Sequence, residues 1–402
     1  MGIIRYMKNI LVAQSGGPTS AINASLSGLI EASFKNSSID KVYGSLNGIS
    51  GLINDDLIEI TDTENLKTTP SAYLGSVRYH LSEHTSDVDY QNILKNVEKY
   101  NIGYIAFIGG NDSMDTVAKL SKFFSEIKYP CNVIGVPKTI DNDLVGTDHT
   151  PGYGSAVKYI ATTFTELKLD TNCYRNGRVT IVEVMGRDAG WLTAGSKLAS
   201  INGLGPDLIY LPESPFDVDK FLNDVQSIYN KQKKVLVAVS EGIRNHEGVY
   251  VANMFTYSEI NDVFGHKQLG GVCTVLADLV KEKLDLPVRR IELNLMQRCA
   301  GHIASKTDLD EAYQCGAFAI EKVLTTNGKF VSMVRKDQDK YELGYELVEV
   351  ADVANKVKEV PQEWIINGND VSDEFIKYAL PLIQGEVGLQ YENGLPVYKV
   401  LK

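Results

Sequence analysis

The sequence has few cysteines and no long apolar run. The five cysteines, at positions 131, 173, 273, 299 and 315, form no CxxC pair, and their odd number would leave one unpaired if the others were bridged. No apolar run approaches the roughly 18 residues that a membrane-spanning helix needs. The start, MGIIRYMKNILVAQ, is too short and too soon glycine-rich to predict a signal peptide. These absences predict free thiols in a reducing, cytoplasmic environment, with no membrane partner.

The chain also lacks net positive charge. It carries 40 Lys and Arg against 51 Asp and Glu, a formal net charge of −11, which disfavours nucleic acid as a partner. An anionic substrate would therefore need a local cationic pocket. The hydrophobic share of 44% and the charged share of 23% are ordinary for a globular protein and exclude general disorder. At 402 residues, the chain has room for about two or three domains.

Several catalytic motifs are missing as well. The sequence contains no GxxxxGK[ST], which excludes a P-loop, and neither the HRD and DFG set of protein kinases nor an HExxH zinc motif. It also lacks the GxGxxG fingerprint of dinucleotide binding. A nicotinamide-dependent dehydrogenase is therefore a poor interpretation.

Strand-like and helix-like segments alternate along most of the chain, which is the signature of an α/β fold. We predict strands over residues 9–13, 42–46, 103–108, 132–136, 178–184, 208–211, 234–240, 288–293 and 328–334, and a loop over 48–52. We predict helices over 21–34, 88–99, 156–169, 216–229, 269–284 and 308–324, one ending near 124, two more over 348–357 and 373–382, and a hairpin at 393–394.

Polar side chains recur where these predicted strands end. Asp112, Asp141, Arg187, Glu241 and Arg298 all follow a predicted strand closely. The carboxyl ends of parallel strands meet at one edge of a sheet, where α/β proteins bind their ligands. The repetition predicts a functional site at that edge.

Two glycine turns join predicted strands to predicted helices, Gly16-Gly17 and Gly109-Gly110. Backbone amides at such a turn, together with a helix N-terminus, can receive a phosphate. Glycines also occur where a tight turn only needs their dihedral freedom, and Asp112 or Ser113 can simply cap the helix that follows. Two interpretations, phosphate binding and a purely structural role, therefore remain for each of these turns.

Residues 136–143 concentrate reactive groups after a predicted buried strand. Lys138 and Thr139 come first, and Asp141 and Asp143 follow one residue apart. A solvated turn is the alternative, because Asp and Asn favour turns. Cations, glycine turns and paired aspartates together describe phosphoryl transfer, which needs positioning, charge neutralisation and one base. The candidate groups are the cations Arg78, Lys138, Arg178, Arg187, Arg289, Arg290 and Arg298, the acids Asp112, Asp141, Asp143 and Glu241, and the polar Asn23, Ser113 and Thr139.

Taken in order, these segments resemble the phosphofructokinase family over most of the chain. The matching pieces are SGG at 15–17 with Asn23, LGSVR at 74–78, GGNDS at 109–113, PKTIDND at 137–143, VEVMGR at 182–187 and SEG at 240–242. The resemblance implies two Rossmann-like, three-layer α/β domains with mainly parallel sheets and an active site in the cleft between them. It also implies phosphoryl transfer to the 1-hydroxyl of fructose 6-phosphate.

The resemblance further suggests a division of the chain. We expect a donor-binding domain over residues 1–150 and about 303–340, and a sugar-phosphate-binding domain over 151–302. Residues 341–402 would form a C-terminal extension that packs on the core or at an interface.

Two positions indicate the donor. Family members that use ATP typically carry GGDG and PGTIDND where this chain has GGND and PKTIDND, so Asp112 and Lys138 resemble the pyrophosphate-dependent branch. A carboxylate at Asp112 adds bulk and like charge where a nucleotide would lie, and Lys138 supplies a compact cation. The alternatives are an ATP-dependent enzyme, a homologue that also uses sedoheptulose 7-phosphate, and a non-catalytic regulatory subunit or sensor. The last would be expected to lose the base, and Asp141 is intact.

The resemblance also assigns roles by position. Asp141 would be the base for the 1-hydroxyl, Lys138 would neutralise charge on the transferred group, and Thr139 would contact the substrate. Asp143 would orient this loop, with a turn or cap role as its alternative. Met185, Gly186, Arg187 and Glu241 would bind the sugar, Arg178, Arg289 and Arg298 its 6-phosphate, and Gly16, Gly17, Arg78, Gly110, Asp112, Ser113 and Lys138 the donor.

Magnesium is the cofactor that the resemblance implies. Asn111 stands where many members have an aspartate that helps hold Mg²⁺, and a neutral amide is a poorer ligand for a hard cation than a carboxylate. We therefore expect Asp112 to carry more of the metal contact. His149 and His302 are not needed by this chemistry and are expected to be structural.

The arginines predict the assembly. In the family some of them, at the positions of Arg178 and Arg289, come from a neighbouring subunit, so we expect a homo-oligomer, dimer or tetramer, with a shared active site. The match is poorest over residues 289–301, where LMQR precedes the last arginine. Arg289 and Arg290 are therefore both candidates for the 6-phosphate contact.

Overall fold

The structure, a computed structural model, describes residues 7–254, 271–337 and 340–401. Its strands form a large sheet, a small sheet and two short hairpins. The large sheet consists of Lys8–Gln14 (β1), Ile39–Ser45 (β2), Leu57–Glu59 (β3), Ile102–Gly109 (β4), Asn132–Pro137 (β5), Lys329–Asp337 (β10) and Glu342–Glu349 (β11). The small sheet consists of Val179–Val184 (β6), Leu208–Tyr210 (β7), Val235–Ser240 (β8) and Val288–Glu292 (β9), and the hairpins pair Ile365–Ile366 (β12) with Asp370–Val371 (β13) and Tyr391–Glu392 (β14) with Leu395–Pro396 (β15).

Helices connect most of these strands. Across the described residues, no helix is long and apolar enough to cross a membrane. The first two residues of the helix predicted over 269–284 lie outside the described residues. The α-helices are Ile22–Phe34 (α1), Ile49–Asn54 (α2), Val88–Lys99 (α3), Asn111–Glu126 (α4), Tyr153–Asn172 (α5), Trp191–Ala194 (α6), Val218–Gln232 (α7), Val272–Leu284 (α8), Met296–Cys299 (α9), Lys306–Val323 (α10), Val350–Val353 (α11) and Asp373–Ala379 (α12), with 3₁₀ turns at Gly195–Asn202, Val251–Asn253, Gly301–Ile303, Gln362–Trp364 and Leu380–Ile383.

Both sheets are mainly parallel. The large sheet has the order β11-β10-β5-β4-β1-β2-β3, parallel from β10 to β2 and antiparallel at its two edges. The small sheet has the order β7-β8-β6-β9 and is parallel throughout. The predicted α/β class with mainly parallel sheets is therefore confirmed.

Helices cover both faces of the large sheet, which explains why its central strands are apolar throughout. In β1, Leu11 packs in a core shared with α3 and α4, whereas Ile10 and Val12 pack in a second core shared with α1 and α10. Successive side chains of a strand point to opposite faces. A strand buried on both faces therefore needs a continuous apolar run rather than an alternating one.

Two local predictions are wrong. Residues 48–52 were expected to form a loop, but α2 begins at Ile49 and buries Leu52 against the core. Residues 348–357 were expected to form a helix, but β11 extends to Glu349 and only the short α11 follows. The ladder between β10 and β11 satisfies the backbone there, so tertiary pairing overrides the weak local pattern. In addition, β11 lies in the large sheet although the sequence placed it in the C-terminal extension.

Helices α1 and α10 touch through their backbones at two glycines. A Cβ atom on Gly28 would lie 1.9 Å from the carbonyl oxygen of Tyr313, and one on Gly316 would lie 2.0 Å from that of Ser25. Neither distance is possible for real atoms. Glycine at both positions is therefore required for the contact between these helices.

A buried charge network surrounds His149, which was expected to be structural. Its ring nitrogens lie 2.8 Å from a carboxylate oxygen of Asp148 and 2.8 Å from one of Glu311, and Arg335 donates to Asp148 at 3.0 Å. Burial alone would lower the pKa of His149, but Glu311 and Asp148 raise it to about 9. Although burial opposes it, His149 and Arg335 lower the pKa of Asp148 to about 2. The histidine is therefore held as a cation between two acids.

We predict that Gly316→Ala destabilises the protein by about 1–3 kcal/mol, because the added methyl group overpacks the contact between α1 and α10. In an ordinary helix interior the same change would stabilise by roughly 1 kcal/mol, so the sign alone is diagnostic. Denaturant unfolding measures the change. Gly388→Ala is the control, since nothing lies within 4 Å of a Cβ atom there. If Gly316→Ala is as stable as the parent, the close backbone contact between α1 and α10 at this position is contradicted.

We predict that stability falls at alkaline pH through His149. Its pKa in the folded protein, about 9, lies above the unfolded value of about 6.5. The stability that its charge contributes is therefore fully present below pH of about 6.5 and is lost as pH rises through about 9. His149→Gln should lower the unfolding free energy at pH of about 6 by roughly 3–5 kcal/mol, since it removes the buried cation that pairs with Glu311 and Asp148.

Urea unfolding at several pH values tests this effect. The His149→Gln variant should show a flatter decline of stability between about pH 6.5 and 9 than the parent. A parallel decline in both proteins would show that other groups cause it.

Candidate active site

Strand ends from both sheets face one cleft with a volume of about 460 Å³. Its walls come from the segments that follow β1, β4 and β5 in the large sheet and β6 and β8 in the small sheet. Ligands of open α/β sheets bind at this carboxyl edge. Of the predicted site residues, Gly16, Gly17, Arg78, Gly110, Asn111, Asp112, Ser113, Lys138, Thr139, Asp141, Asp143, Met185, Arg187, Glu241 and Arg298 line the cleft.

The loop after β5 is held rigidly by local hydrogen bonds. The Asp141 N–H donates to the Thr139 hydroxyl at 3.1 Å, and the Thr150 hydroxyl donates to the Thr139 carbonyl at 2.8 Å. Asn142 has a φ of 55°, a left-handed conformation that asparagine tolerates better than most residues. We call residues 138–143 the catalytic loop. Its geometry places Asp141 and Asp143 on the cleft wall.

Lys138, the first residue of this loop, is buried, with only 2% of the residue exposed. Its ammonium donates to the carbonyl oxygen of Gly17 at 2.7 Å. A Cβ atom on Gly16, whose φ is +76°, would lie 3.2 Å from the same ammonium, and one on Gly17 would lie 3.1 Å from the Arg298 guanidinium. Burial lowers the pKa of Lys138 to about 8, although Asp141 opposes the shift. Because Gly16 and Gly17 have no side chains, the Lys138 ammonium and the Arg298 guanidinium can both lie close to this turn.

Three acids of the cleft, Asp141, Asp143 and Glu241, have raised pKa values. Burial, followed by the charge of Glu241, raises the pKa of Asp141 to about 6, while Lys138 and Arg187 oppose the shift. Burial and the charge of Asp141 raise the pKa of Asp143 to about 7, and burial raises that of Glu241 to about 7. Shifts in this direction bring the three carboxyl groups closer to neutral pH, where a group can exchange its proton.

Asn111 and Asp112, the two predicted metal ligands, differ in their surroundings. The Asn111 amide group donates to the carbonyl oxygen of Lys356 at 2.8 Å, and its oxygen accepts the N–H of Asn355. Both ends of this side chain are therefore used to hold the C-terminal segment. Asp112 presents its carboxylate from the first turn of α4. Of the pair, Asp112 is the better candidate for a metal contact.

A separate group with metal-type side chains lies outside the cleft. Among the described residues, Glu183, Cys273 and Glu292 have ligand atoms within 4.8 Å of one another. The Glu183 carboxylate accepts the N–H groups of Gly271 and Cys273, at 3.1 and 2.9 Å. These are the free amides at the start of α8, so the carboxylate has a structural explanation.

The small sheet supplies the other wall. The N–H of Met185 donates to the Gln297 side chain at 3.3 Å, and the N–H of Gly186 donates to the Glu241 carboxylate at 3.2 Å. Gly186 itself does not line the cleft but orients Glu241. The buried Nε atom of Arg187 has no hydrogen-bond partner. An unsatisfied buried donor beside the cleft is costly, and a bound anion would satisfy it.

Arg178 and Arg289 are not brought to this cleft. They lie together in a small surface depression, where Arg289 pairs with Asp170 at 3.4 Å. Arg290 follows Arg289 in β9, and successive strand side chains point to opposite faces. Arg289 therefore shares the depression with Arg178, whereas Arg290 does not line it.

The cleft also contains residues that the sequence analysis missed. Asp188 directly follows the VEVMGR segment, so this motif could have predicted that Asp188 lies in the cleft. The Arg244 guanidinium donates to the Asp188 carboxylate at 2.7 Å. Tyr79 follows Arg78 in the same way. Asn355 and Val357 come from the C-terminal segment, where no motif pointed to the cleft.

Comparison with known proteins agrees with this geometry. The sequence model of the family described as "Phosphofructokinase" matches residues 9–323. A protein of Halomonas elongata named pyrophosphate–fructose 6-phosphate 1-phosphotransferase is 39% identical over 400 residues, covering 96% of this chain and 94% of the relative. A sulfofructose kinase of Alkalicoccus urumqiensis is 35% identical over 332 residues, covering 81% of this chain and 82% of the relative.

A solved structure shows the same architecture. The crystal structure of a pyrophosphate-dependent phosphofructokinase from Nitrosospira multiformis superposes with a TM-score of 0.88 at 37% identity, covering 98% of this chain and 96% of that one. The match spans both sheets and the C-terminal segment. With most of its length matched by the family model, this chain belongs to the phosphofructokinase family.

Proposed function

We propose that the protein transfers a phosphoryl group reversibly from pyrophosphate to the 1-hydroxyl of fructose 6-phosphate, giving fructose 1,6-bisphosphate and phosphate. The observation that carries the proposal is the meeting of Asp141, Lys138 and Asp112 in one cleft. They supply a base, a buried cation and the acidic residue of the donor loop. Relatives named pyrophosphate–fructose 6-phosphate 1-phosphotransferase support the same reaction.

Asp141 is the proposed base. As the sugar O1 attacks the phosphorus atom, its proton passes to the Asp141 carboxylate, and the bridging P–O bond of pyrophosphate breaks to release phosphate. A pKa of about 6 keeps this carboxylate mostly unprotonated at neutral pH, and a pKa near the working pH suits a group that gains and loses a proton. In the reverse direction, Asp141 returns the proton to O1.

Cations and amides stabilise the charge of the transferred group. Lys138 lies buried against the Gly16-Gly17 turn. Positively charged groups held in place before the reaction need no rearrangement when charge moves from one oxygen to another. Thr139 contacts the transferring group from the same loop, Asp143 orients that loop, and Gly110, Ser113 and Arg78 complete the donor side.

The donor is pyrophosphate because the cleft favours a small, highly charged ligand. Asp112 places a carboxylate on the donor wall, where it disfavours the additional phosphate and ribose of a nucleotide. Lys138 supplies a point charge rather than the planar fork of an arginine. An ATP-dependent reaction is the alternative, and the assay below separates the two.

The donor wall also suits Mg²⁺. Asp112, together with the donor's own oxygens, would hold the ion, since Mg²⁺ is usually bound by one or two carboxylates and substrate phosphates. When bound, Mg²⁺ neutralises charge on the donor phosphates. Asn111 contributes less, because its amide already holds the C-terminal segment.

The sugar binds against the small sheet. Arg187, Met185 and Glu241 contact its ring and hydroxyls, with Gly186 holding Glu241 in place, and Arg298 contacts the 6-phosphate. We propose that Arg178 and Arg289 bind the 6-phosphate in a neighbouring subunit's cleft, since they lie outside their own. The protein would then act in the cytoplasm as a homo-oligomer, dimer or tetramer, with donor-binding and sugar-binding domains divided as the sequence suggests.

We predict that pyrophosphate, and not ATP, supports rapid phosphorylation of fructose 6-phosphate. Product is measured as fructose 1,6-bisphosphate with each donor alone and Mg²⁺ present. Rates with ATP equal to or above those with pyrophosphate would overturn the assignment of pyrophosphate as the donor. With sulfofructose as the acceptor, release of phosphate from pyrophosphate is the readout, and it tests the activity named for one relative.

Asp112→Gly with Lys138→Gly should weaken pyrophosphate use, and unchanged pyrophosphate kinetics would exclude the role of both residues.

We predict that Asp141→Asn lowers kcat by about 10²–10⁴-fold, the usual contribution of a positioned general base. In the parent, kcat/KM should fall as pH drops through about 6, because protonated Asp141 cannot accept the hydroxyl proton. The variant should lose this decline. Calorimetric binding of fructose 6-phosphate is the control and should be largely retained. A variant that keeps the parent's pH profile would identify another base.

A further inference from the structure

A segment beyond the family match crosses the mouth of the cleft. Residues 355–360, here called the strap, follow α11, whereas the match to the family model ends at residue 323. Asn355 and Val357 line the cleft, and Val360 is buried in the core beside the small sheet. The strap therefore touches both walls of the candidate active site.

On the large-sheet side, the strap is bound to two loops of the cleft. The Asn111 side chain holds the backbone of Asn355 and Lys356. The N–H of Lys358 donates to the carbonyl oxygen of Asp143 at 2.7 Å. The donor loop and the catalytic loop are thus tied to the same short segment.

The Lys358 ammonium makes further bonds to the chain that leaves the catalytic loop. It donates to the carbonyl oxygens of Asp148 and Thr147, at 2.8 and 3.1 Å, and lies 3.4 Å from the Asn142 side-chain oxygen. Asn142 is the residue with left-handed backbone between the two aspartates of the loop. One side chain therefore braces the loop at its middle and at its exit.

On the small-sheet side, the strap is bound to the segment that follows Arg187. The Trp191 indole N–H donates to the carbonyl oxygen of Lys358 at 2.8 Å, and the Lys358 ammonium lies 5.2 Å from the indole ring. The Glu213 carboxylate accepts both the Val360 N–H at 3.0 Å and the Gly190 N–H at 2.7 Å. Lys358 is thus placed between the two walls.

We propose that Lys358 is a positioning residue, which fixes the catalytic loop, and with it Asp141, relative to the sugar-binding wall. The inference rests on the proposed function, because the reaction measured is the phosphoryl transfer. Removing an ammonium from water is expensive, and it is repaid here only by well-placed oxygens and an aromatic face. Those oxygens belong mainly to the backbone carbonyls of Thr147 and Asp148.

Loss of this positioning would change the alignment of the reacting atoms rather than the affinity for the substrates. Reacting atoms must lie about 3–3.5 Å apart and aligned, and a misplacement of about 1 Å can cost on the order of a hundredfold in rate. Asp141 belongs to the large-sheet wall, whereas Arg187 and Glu241 belong to the small-sheet wall. A loosened strap would therefore misalign the base with the sugar O1 while leaving most ligand contacts in place.

Steady-state kinetics of Lys358→Met tests this role. We expect kcat to fall by about tenfold to a hundredfold, with the KM values for pyrophosphate and fructose 6-phosphate little changed. Lys358→Gln, which keeps a hydrogen-bond donor, should have an intermediate kcat and carries the test if the methionine variant does not fold. Lys377→Met is the matched control, because Lys377 is an exposed lysine of α12 that pairs with nearby Glu374, and its kcat should equal that of the parent. A parental kcat in both Lys358 variants, or a rise in KM with kcat unchanged, would overturn the proposal.

Amide hydrogen exchange separates this inference from the proposed function. Peptides covering residues 141–148 should exchange faster in Lys358→Met than in the parent, whereas peptides from β8 should not change. A parent without pyrophosphate-dependent turnover would refute the proposed function, and the exchange of this loop would still decide the role of Lys358. If the amides of residues 141–148 exchange as slowly in Lys358→Met as in the parent, the positioning role of Lys358 is overturned.

Discussion

The candidate active site depends on the balance of buried charge around Lys138. Its ammonium lies 2.7 Å from the carbonyl oxygen of Gly17, in a cleft that also holds Asp141, Asp143 and Glu241. A single ion buried without partners would cost several kcal/mol, so neither the lysine nor the acids could remain here alone. Burial lowers the pKa of Lys138 to about 8 and raises that of Asp141 to about 6. A site with such shifted groups is suited to move protons and receive anions near neutral pH.

The fold creates this balance by bringing strand ends together. In a parallel sheet, the chain segments after β1, β4 and β5 must share one edge, so residues more than a hundred positions apart meet in the cleft. The Gly16-Gly17 turn then leaves the space into which Lys138 and Arg298 reach. A Cβ atom at Gly16 or Gly17 would crowd one of these cationic groups, so the glycine turn and the lysine are packed closely together.

Local sequence patterns predicted most of the fold and of this cleft for a physical reason. A buried strand, a glycine turn and a helix are encoded by consecutive residues, and a parallel sheet places every such turn at the same edge. Prediction failed where distant partners decide the outcome. Residues 342–349 form β11 only because β10 offers a ladder. Arg178 and Arg289 lie outside their own cleft, as expected from the family resemblance rather than from their spacing.

The strap is the clearest example of a feature that local sequence patterns did not predict. No motif marks Lys358, yet its backbone and side chain contact Asp143, Asn142, Thr147 and Asp148 on one wall and Trp191 on the other. Asp141, the proposed base, and Arg187 and Glu241, the proposed sugar contacts, lie on different walls, so the distance between them is set by whatever joins the walls. The catalytic loop alone cannot set it, however well its own hydrogen bonds are made. The strap joins the two walls and can therefore affect the rate of the proposed reaction through their alignment.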